Sequence, residues 1–281
     1  MTQERADILV LLVTCSLDAT RQDLAVRVVK NLAEKLPVAG LVNDFILFDN
    51  ASTFHEHIQY APKGTHVVRA PQNVGYWSAI KWVLENATQL MGRPYKYIYI
   101  VESDLYHTDL CALAECAKFL DENPDAACVR TQEFSVRGRW RYDKALNFLP
   151  FHITRSEIRL KNLVTGARAW FRKSSIENIY TSNLHAKLPA LNRMYALIRV
   201  FENLSERAGF SEGDFFAEIA KNYSTIGVYD GGLFHSLYSR EDKSVMSGSY
   251  SSGAQLTQTG YQQTRQSKII PISQELNILR V

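Results

Sequence analysis

The sequence predicts an α/β fold: a mostly parallel central sheet with helices on both faces. Three observations carry this. Short apolar, β-prone stretches recur at 8–13, 45–48, 67–68, 97–101 and 127–129. Between them, apolar residues return at helical spacing. Strand and helix patterns therefore alternate through the first 130 or so residues, the signature of parallel strands joined by crossover helices.

Taken in order, Ile8 to Val13 is a first buried strand, ended by Thr14-Cys15-Ser16. A helix follows, with Leu24, Val28, Leu32 and Leu36 on one stripe and Pro37 stopping it. Phe45-Ile46-Leu47-Phe48 is a second strand and runs into Asp49-Asn50-Ala51-Ser52, which on its own also reads as an ordinary turn. Val67-Val68 marks a third strand, ending near Arg69. Pro71 to Gly75 then turns into a helix carrying Ile80, Val83, Leu84, Ala87 and Leu90, closed by Gly92 and Pro94. Tyr97-Ile98-Tyr99-Ile100-Val101 runs straight into Glu102-Ser103-Asp104. Asp109 is placed to cap the next helix, with Leu110, Leu113, Ala114, Ala117 and Leu120 inward, before a strand at 127–129. The polar strand ends should converge on one sheet edge, where open α/β sheets place their ligands.

The second half has another texture. Residues 133–160 mix Arg with aromatic side chains, which reads equally as a ligand-stacking surface or as a solvated subdomain with a small core. A strand is expected at 166–172, a helix over Leu188 to Arg207, a shorter helix from Glu212 to Asn222 and a strand at 225–229. Residues 239–267, rich in Ser, Gln, Gly and Thr, read as a mobile segment, and Leu276 to Leu279 could dock back.

A net charge of +3 is too small to imply a nucleic-acid partner. No run of about eighteen apolar residues occurs, so no membrane span is expected, and a peripheral contact stays open. The start lacks a basic region followed by an apolar one, so the expected compartment is the cytoplasm. The four cysteines show no Cys-x-x-Cys spacing and should be reduced and buried.

The order of motifs resembles the GT-A glycosyltransferases, especially the inverting family 2. The shared elements are the first strand, Phe48-Asp49-Asn50-Ala51-Ser52-Thr53, Asn73-Val74-Gly75 with Ala79, Glu102-Ser103-Asp104, a strand ending in Arg172, Glu212-Gly213-Asp214 and His235. The resemblance implies one GT-A-like catalytic domain over 1–238, with a nucleotide-binding half (1–131) and an acceptor half (132–238), then a mobile segment over 239–281. It implies metal-dependent, inverting transfer of a hexosyl-type sugar from a nucleotide-diphosphate donor, a UDP-sugar first, to a glycan or lipid-linked acceptor. The setting would be polysaccharide assembly, in the cytoplasm or at the inner membrane face.

The same resemblance assigns roles. Thr14 and Ser16 line the base and ribose pocket, and Asp49 accepts the base N–H. Asn73 and Gly75 bring the helix start to the nucleotide. Glu102, Ser103 and Asp104 hold the donor, with Asp104 and His235 on a Mn²⁺ or Mg²⁺ ion. Such ions take oxygen ligands, and Mg²⁺ in particular takes one or two carboxylates plus phosphate. Glu102 stands where the family usually has Asp. Tyr76, Trp77 and Lys81 depart from its usual helix start.

Inverting transfer needs a carboxylate to take the acceptor's proton, and Glu212 and Asp214 are the candidates. Ser211 to Asp214 has the form of a capping box, which gives Asp214 a structural task. Glu212 shares a helix face with Phe215, Phe216 and Ile219. Glu212 is preferred as base and Asp214 is the alternative. Arg240 and Lys243 could reach the diphosphate if the tail closes.

Two rival readings stand beside this one. A sugar nucleotidyltransferase would want a Gly-rich basic loop after the first strand, and Thr14 to Ala19 has no glycine. An inactive nucleotide-sugar or protein-binding module needs no acids at 102, 104, 212 and 214, yet all four are present. No Gly-x-Gly-x-x-Gly supports a dehydrogenase.

Overall fold

The structure is a computed structural model. It describes residues 6–38, 40–103, 105–107, 110–132, 171–175, 193–200, 203–210, 212–232, 234–236 and 276–280. The strands are β1 (Ala6–Thr14), β2 (Asn43–Asn50), β3 (His66–Ala70), β4 (Tyr95–Val101), β5 (Leu105–His107), β6 (Ala126–Gln132), β7 (Phe171–Ser175), β8 (Arg193–Arg199), β9 (Thr225–Gly232), β10 (Phe234–Ser236) and β11 (Asn277–Arg280). The helices are α1 (Ala19–Lys35), α2 (Tyr76–Met91), α3 (Ala112–Glu122) and α4 (Glu212–Ile219), with short 3-10 turns at Glu56–Tyr60 and Glu206–Gly209.

Nine strands form one sheet in the order β11-β3-β2-β1-β4-β8-β6-β9-β7, and β5 and β10 form a separate pair. β1 is parallel to β2 and β4, β2 is parallel to β3, and β6 is parallel to β9. Because β8 is antiparallel to both β4 and β6, the strands β1, β2, β3, β4, β6 and β9 share one direction. Only β7, β8 and β11 oppose it.

Alternation along β1 sorts the core onto two faces. Ile8, Val10 and Leu12 pack with Val28, Val29 and Leu32 of α1 and Leu113, Cys116 and Leu120 of α3. Leu9, Leu11 and Val13 pack with Ala79, Ile80 and Val83 of α2 and Phe215, Phe216 and Ile219 of α4. A strand covered on both sides needs no polar face, which is why 8–13 reads as an unbroken apolar run. Each such enclosed side chain contributes about 1.5–3 kcal/mol. Asp18 caps α1 by accepting from the Arg21 N–H, and Gly92 closes α2 in the left-handed conformation (φ 73°).

Four expectations need correction. The run expected as a helix over 188–207 contains β8, a strand between β4 and β6, followed by a 3-10 turn. Met194 to Ile198 is apolar throughout because this strand lies inside the sheet, and a short continuous run has no period to separate strand from helix. α3 starts at Ala112 behind Cys111, with no side-chain cap, so Asp109 is not its N-cap residue; Asp109 itself lies outside the described residues. Glu212 opens a helix that ends at Ile219, short of Asn222. Cys116 and Cys128 are buried, as expected, whereas Cys111 is exposed and Cys15 half-buried. β11 does dock, antiparallel to β3. The stretches 133–170 and 237–275, with Arg240 and Lys243, lie outside the described residues.

Candidate active site

The carboxyl ends of β1, β2 and β3 stand side by side. Thr14 is in register with Asp49, and Asp49 with Arg69, so three polar residues far apart in sequence face one another across adjacent strands. Asp49 has no exposed surface, and its carboxylate is held on both oxygens. Oδ1 accepts the Ser52 N–H (3.2 Å) and Oδ2 accepts Arg69 Nε (2.9 Å). Ala51 makes the first of these bonds geometrically available by turning the chain through φ 60°. Arg69 keeps a third of its side chain exposed in front of the buried acid.

The loops leaving these strands are knitted together. Asn50 Nδ2 donates to Asn73 Oδ1 (3.0 Å), and Asn50 Oδ1 accepts the Val74 N–H (2.9 Å). Asn73 Oδ1 also accepts the Gly75 N–H (2.9 Å), and its Nδ2 donates to Cys15 Sγ (3.5 Å). Burial pushes the Cys15 thiol above its ordinary range. The Ser16 N–H donates to Ser52 Oγ (2.8 Å), and the Ser16 carbonyl accepts from Thr53 and Phe54. Gly75 occupies the N-cap position of α2 at φ 90°, and a Cβ there would meet only Ser78 Oγ at 3.7 Å. Its backbone angle, rather than crowding, demands glycine.

Thr14 leads inward to His57, a fully buried imidazole. Gln22 sets the proton pattern. Its amide oxygen accepts the N–H of His57 (2.9 Å) and of Glu56 (3.1 Å), while its nitrogen donates to the Phe54 carbonyl (2.7 Å) and to His57 Nδ1 (3.1 Å). With Nδ1 accepting, the proton sits on Nε2 and is donated to Thr14 Oγ1 (3.0 Å). The Thr14 hydroxyl is left to donate to the Phe48 carbonyl (3.5 Å). Burial lowers the His57 pKa to about 4, with the Asp49 charge opposing and His55 and Arg69 adding to the shift. The ring is neutral in ordinary buffers.

β4 delivers Glu102, exposed, and Ser103 just past the Leu12–Val101 pairing with β1. The expected metal acid, Asp104, lies outside the described residues. His235 lies on β10 opposite Tyr106 of β5, so its strand runs beside the one that starts one residue after Asp104. Among the described residues no group of three or more His, Cys, Asp or Glu could hold a metal ion.

The second acidic pair reaches this edge through aromatic packing. Trp77, in the first turn of α2, meets Phe215 (centroids 5.0 Å) and Phe216 (6.3 Å) of α4. Ser78 Oγ donates to the Gly209 carbonyl (3.0 Å). The departure at Trp77 thus has a structural use: it docks the helix that begins with Glu212 against the helix that begins after Gly75. Asp214 is in an ion pair with Arg207 (2.8 Å). Glu218 accepts from Lys221 and Ser205, and the Lys221 ammonium leads in holding its carboxyl below the usual range. The Asp214–Arg207 ion pair links α4 to the 3-10 turn at Glu206–Gly209, and Ser211 of the expected capping box lies outside the described residues. The sequence pattern includes Asn50 and Ser52 in a motif and Arg69 as a strand end without giving any of them a role, and nothing in it marks His57.

A family model described as Glycosyl transferase family 2 matches residues 20–180, more than half of the chain. The chain belongs to glycosyl transferase family 2. The match spans β2, β3 and β4 with Asp49, Asn73, Gly75 and Glu102, and leaves Thr14, Ser16, Glu212, Asp214 and His235 outside it. No curated protein matches. Among solved structures, Staphylococcus aureus TarS is similar at 15% identity over 85% of this chain and 38% of that one, with a TM-score of 0.49. TarS 1–349 in complex with UDP matches at 15% identity over 85% of this chain and 63% of that one, TM-score 0.47. TarS 1–349 in complex with UDP-GlcNAc matches at 17% identity over 47% of this chain and 36% of that one, TM-score 0.35. The chain spans less than two thirds of the length of each of these structures.

Proposed function

We propose that this family 2 glycosyltransferase moves a sugar from a nucleoside diphosphate donor, a UDP-sugar first, to an acceptor hydroxyl with inversion at the anomeric carbon. The observation that carries this is the in-register row Thr14, Asp49, Arg69, with α4 docked beside it through Trp77. Asp49 and Arg69 read the base together. The guanidinium, a third exposed, offers donors toward a base carbonyl, and the enclosed Asp49 carboxylate accepts a base N–H once Arg69 swings aside for the base. Thr14 and Ser16, both buried, support the ribose side from beneath, and the start of α2 beyond Asn73 and Gly75 offers N–H groups to the diphosphate.

Asp104 and His235 are the proposed ligands of a divalent ion, with Glu102 and Ser103 beside them. A carboxylate and an imidazole form a donor set that Mn²⁺ accepts. When bound, the ion neutralises charge on the diphosphate leaving group. Glu212 takes the acceptor's proton. It opens α4 with its inward neighbours Phe215 and Phe216 fully buried, while Asp214 is held by Arg207. The acceptor is a glycan or lipid-linked saccharide in this reading, and no described helix is long and apolar enough to cross a membrane. A thermal-shift screen of nucleoside diphosphates with and without Mn²⁺ tests the reading. Stabilisation by UDP that strengthens with Mn²⁺ is expected; no response to any nucleoside diphosphate contradicts it.

A further inference from the structure

Away from the polar edge, three polar side chains are buried in the apolar layer between α1 and the sheet. Asn31 is 2% exposed, Tyr99 1% and His107 0%. Their hydrogen bonds have one consistent solution. The Asn31 amide reads the backbone of His107 as a neighbouring strand would, donating to its carbonyl (3.1 Å) and accepting its N–H (2.7 Å). The same Asn31 oxygen lies 3.1 Å from His107 Nδ1, which must therefore carry the ring proton. Nε2 is then the acceptor for the Tyr99 hydroxyl at 2.7 Å. The rings of Tyr99 and His107 also meet edge to face, centroids 5.7 Å apart.

Side-chain packing does not require the Tyr99 hydroxyl, since Phe at 99 would fill the same space; Asn31, by contrast, pairs backbone groups of His107 that would otherwise be enclosed without a partner. What the network does is topological. Tyr99 is in β4 and His107 ends β5, so their bond closes a loop whose middle is Glu102-Ser103-Asp104. β5 belongs to a separate two-stranded sheet with β10, and His107 ties it both to α1 and to β4. With the His107 backbone turned to Asn31, strand alternation turns Tyr106 toward β10, where its partner is His235.

We propose that Asn31, Tyr99 and His107 form a buried polar staple that positions Glu102 and Ser103 at the end of β4, and the strand β5 that pairs with β10, for the donor's diphosphate. All three are positioning residues. The proposal rests on the donor reading above and names what holds that site in shape.

The test uses Tyr99→Phe, which removes one hydroxyl, and Asn31→Ser, which removes the strand-like clamp from the other side. UDP affinity in Mn²⁺ is measured by calorimetry, beside the melting temperature and hydrogen exchange of the 102–107 peptide. Both folded variants should bind UDP about tenfold or more weakly, the loss typical when supports behind a ligating group are removed. Exchange should quicken in 102–107 and stay unchanged in β1. A lowered melting temperature with wild-type UDP affinity overturns the proposal, because it makes the trio a core feature only. If Tyr99→Phe does not fold, Asn31→Ser and the exchange measurement decide alone. Wild-type protein that binds no UDP overturns the donor reading and this proposal with it. Wild-type binding, with variants that bind equally well, overturns this proposal alone.

Discussion

Acid should unfold this protein partly through one imidazole. His57 is enclosed with a pKa near 4, against an ordinary value of about 6.5 in the unfolded chain. Between these values the unfolded chain binds a proton that the folded one refuses. Stability from this group is therefore complete above about pH 6.5, falls as pH drops through that value, and levels off below about 4. The full effect is about 2.5 units, or roughly 3 kcal/mol, of which about 2 kcal/mol is already lost by pH 5. Urea denaturation of the wild type and His57→Gln at pH 8, 7, 6 and 5 isolates the term, because carboxylates common to both proteins cancel. The variant should start less stable at pH 8 and close most of that gap by pH 5. Parallel pH dependences would refute the buried, neutral assignment and the Gln22–His57–Thr14 chain built on it.

Three more outcomes follow from the site. Arg69→Ala should weaken UDP binding tenfold or more in calorimetry. Leaving the enclosed Asp49 carboxylate short of a partner should also cost about 1–3 kcal/mol in denaturant titration. Glu212→Gln should bind UDP as the wild type does yet lose sugar transfer, whereas Asp214→Asn should mainly lower the melting temperature; the reverse pattern would make Asp214 the base. Gly75→Ala should cost about 1–3 kcal/mol of stability by forcing a side chain onto φ 90°, and a neutral result in thermal melts would contradict that backbone assignment.

The parallel half of the fold was legible because its elements are long and regular. β1, β2 and β4 are covered on both faces, so they appear as unbroken apolar runs, and α1 and α2 carry clear stripes between them. β8 was misread because the same coverage removes any period that could tell strand from helix. β5 and β10, three residues each, are too short to leave a pattern at all. The site was half legible. Thr14, Ser16 and Asp49 lie at or just past the ends of β1 and β2, and Asn73 and Gly75 lead into α2, all elements with a clear sequence pattern. The Asp49–Arg69 pair joins residues 20 apart through the register of β2 on β3, and the Thr14–His57 bond joins residues 43 apart through the 3-10 turn at Glu56–Tyr60. Counting each strand to its polar end would have aligned Thr14, Asp49 and Arg69, since each stands at the same level in its strand. Nothing comparable marks His57 or the staple, whose partners come from separate elements.

The proposed donor site is tested most directly by titrating UDP into the wild type and Asp104→Asn by calorimetry, each with and without Mn²⁺. The wild type should bind UDP more tightly with Mn²⁺ than without it, and Asp104→Asn should lose that gain. Equal affinities across all four titrations, or no binding in any, would contradict the assignment of this sheet edge to a metal-bound nucleotide sugar.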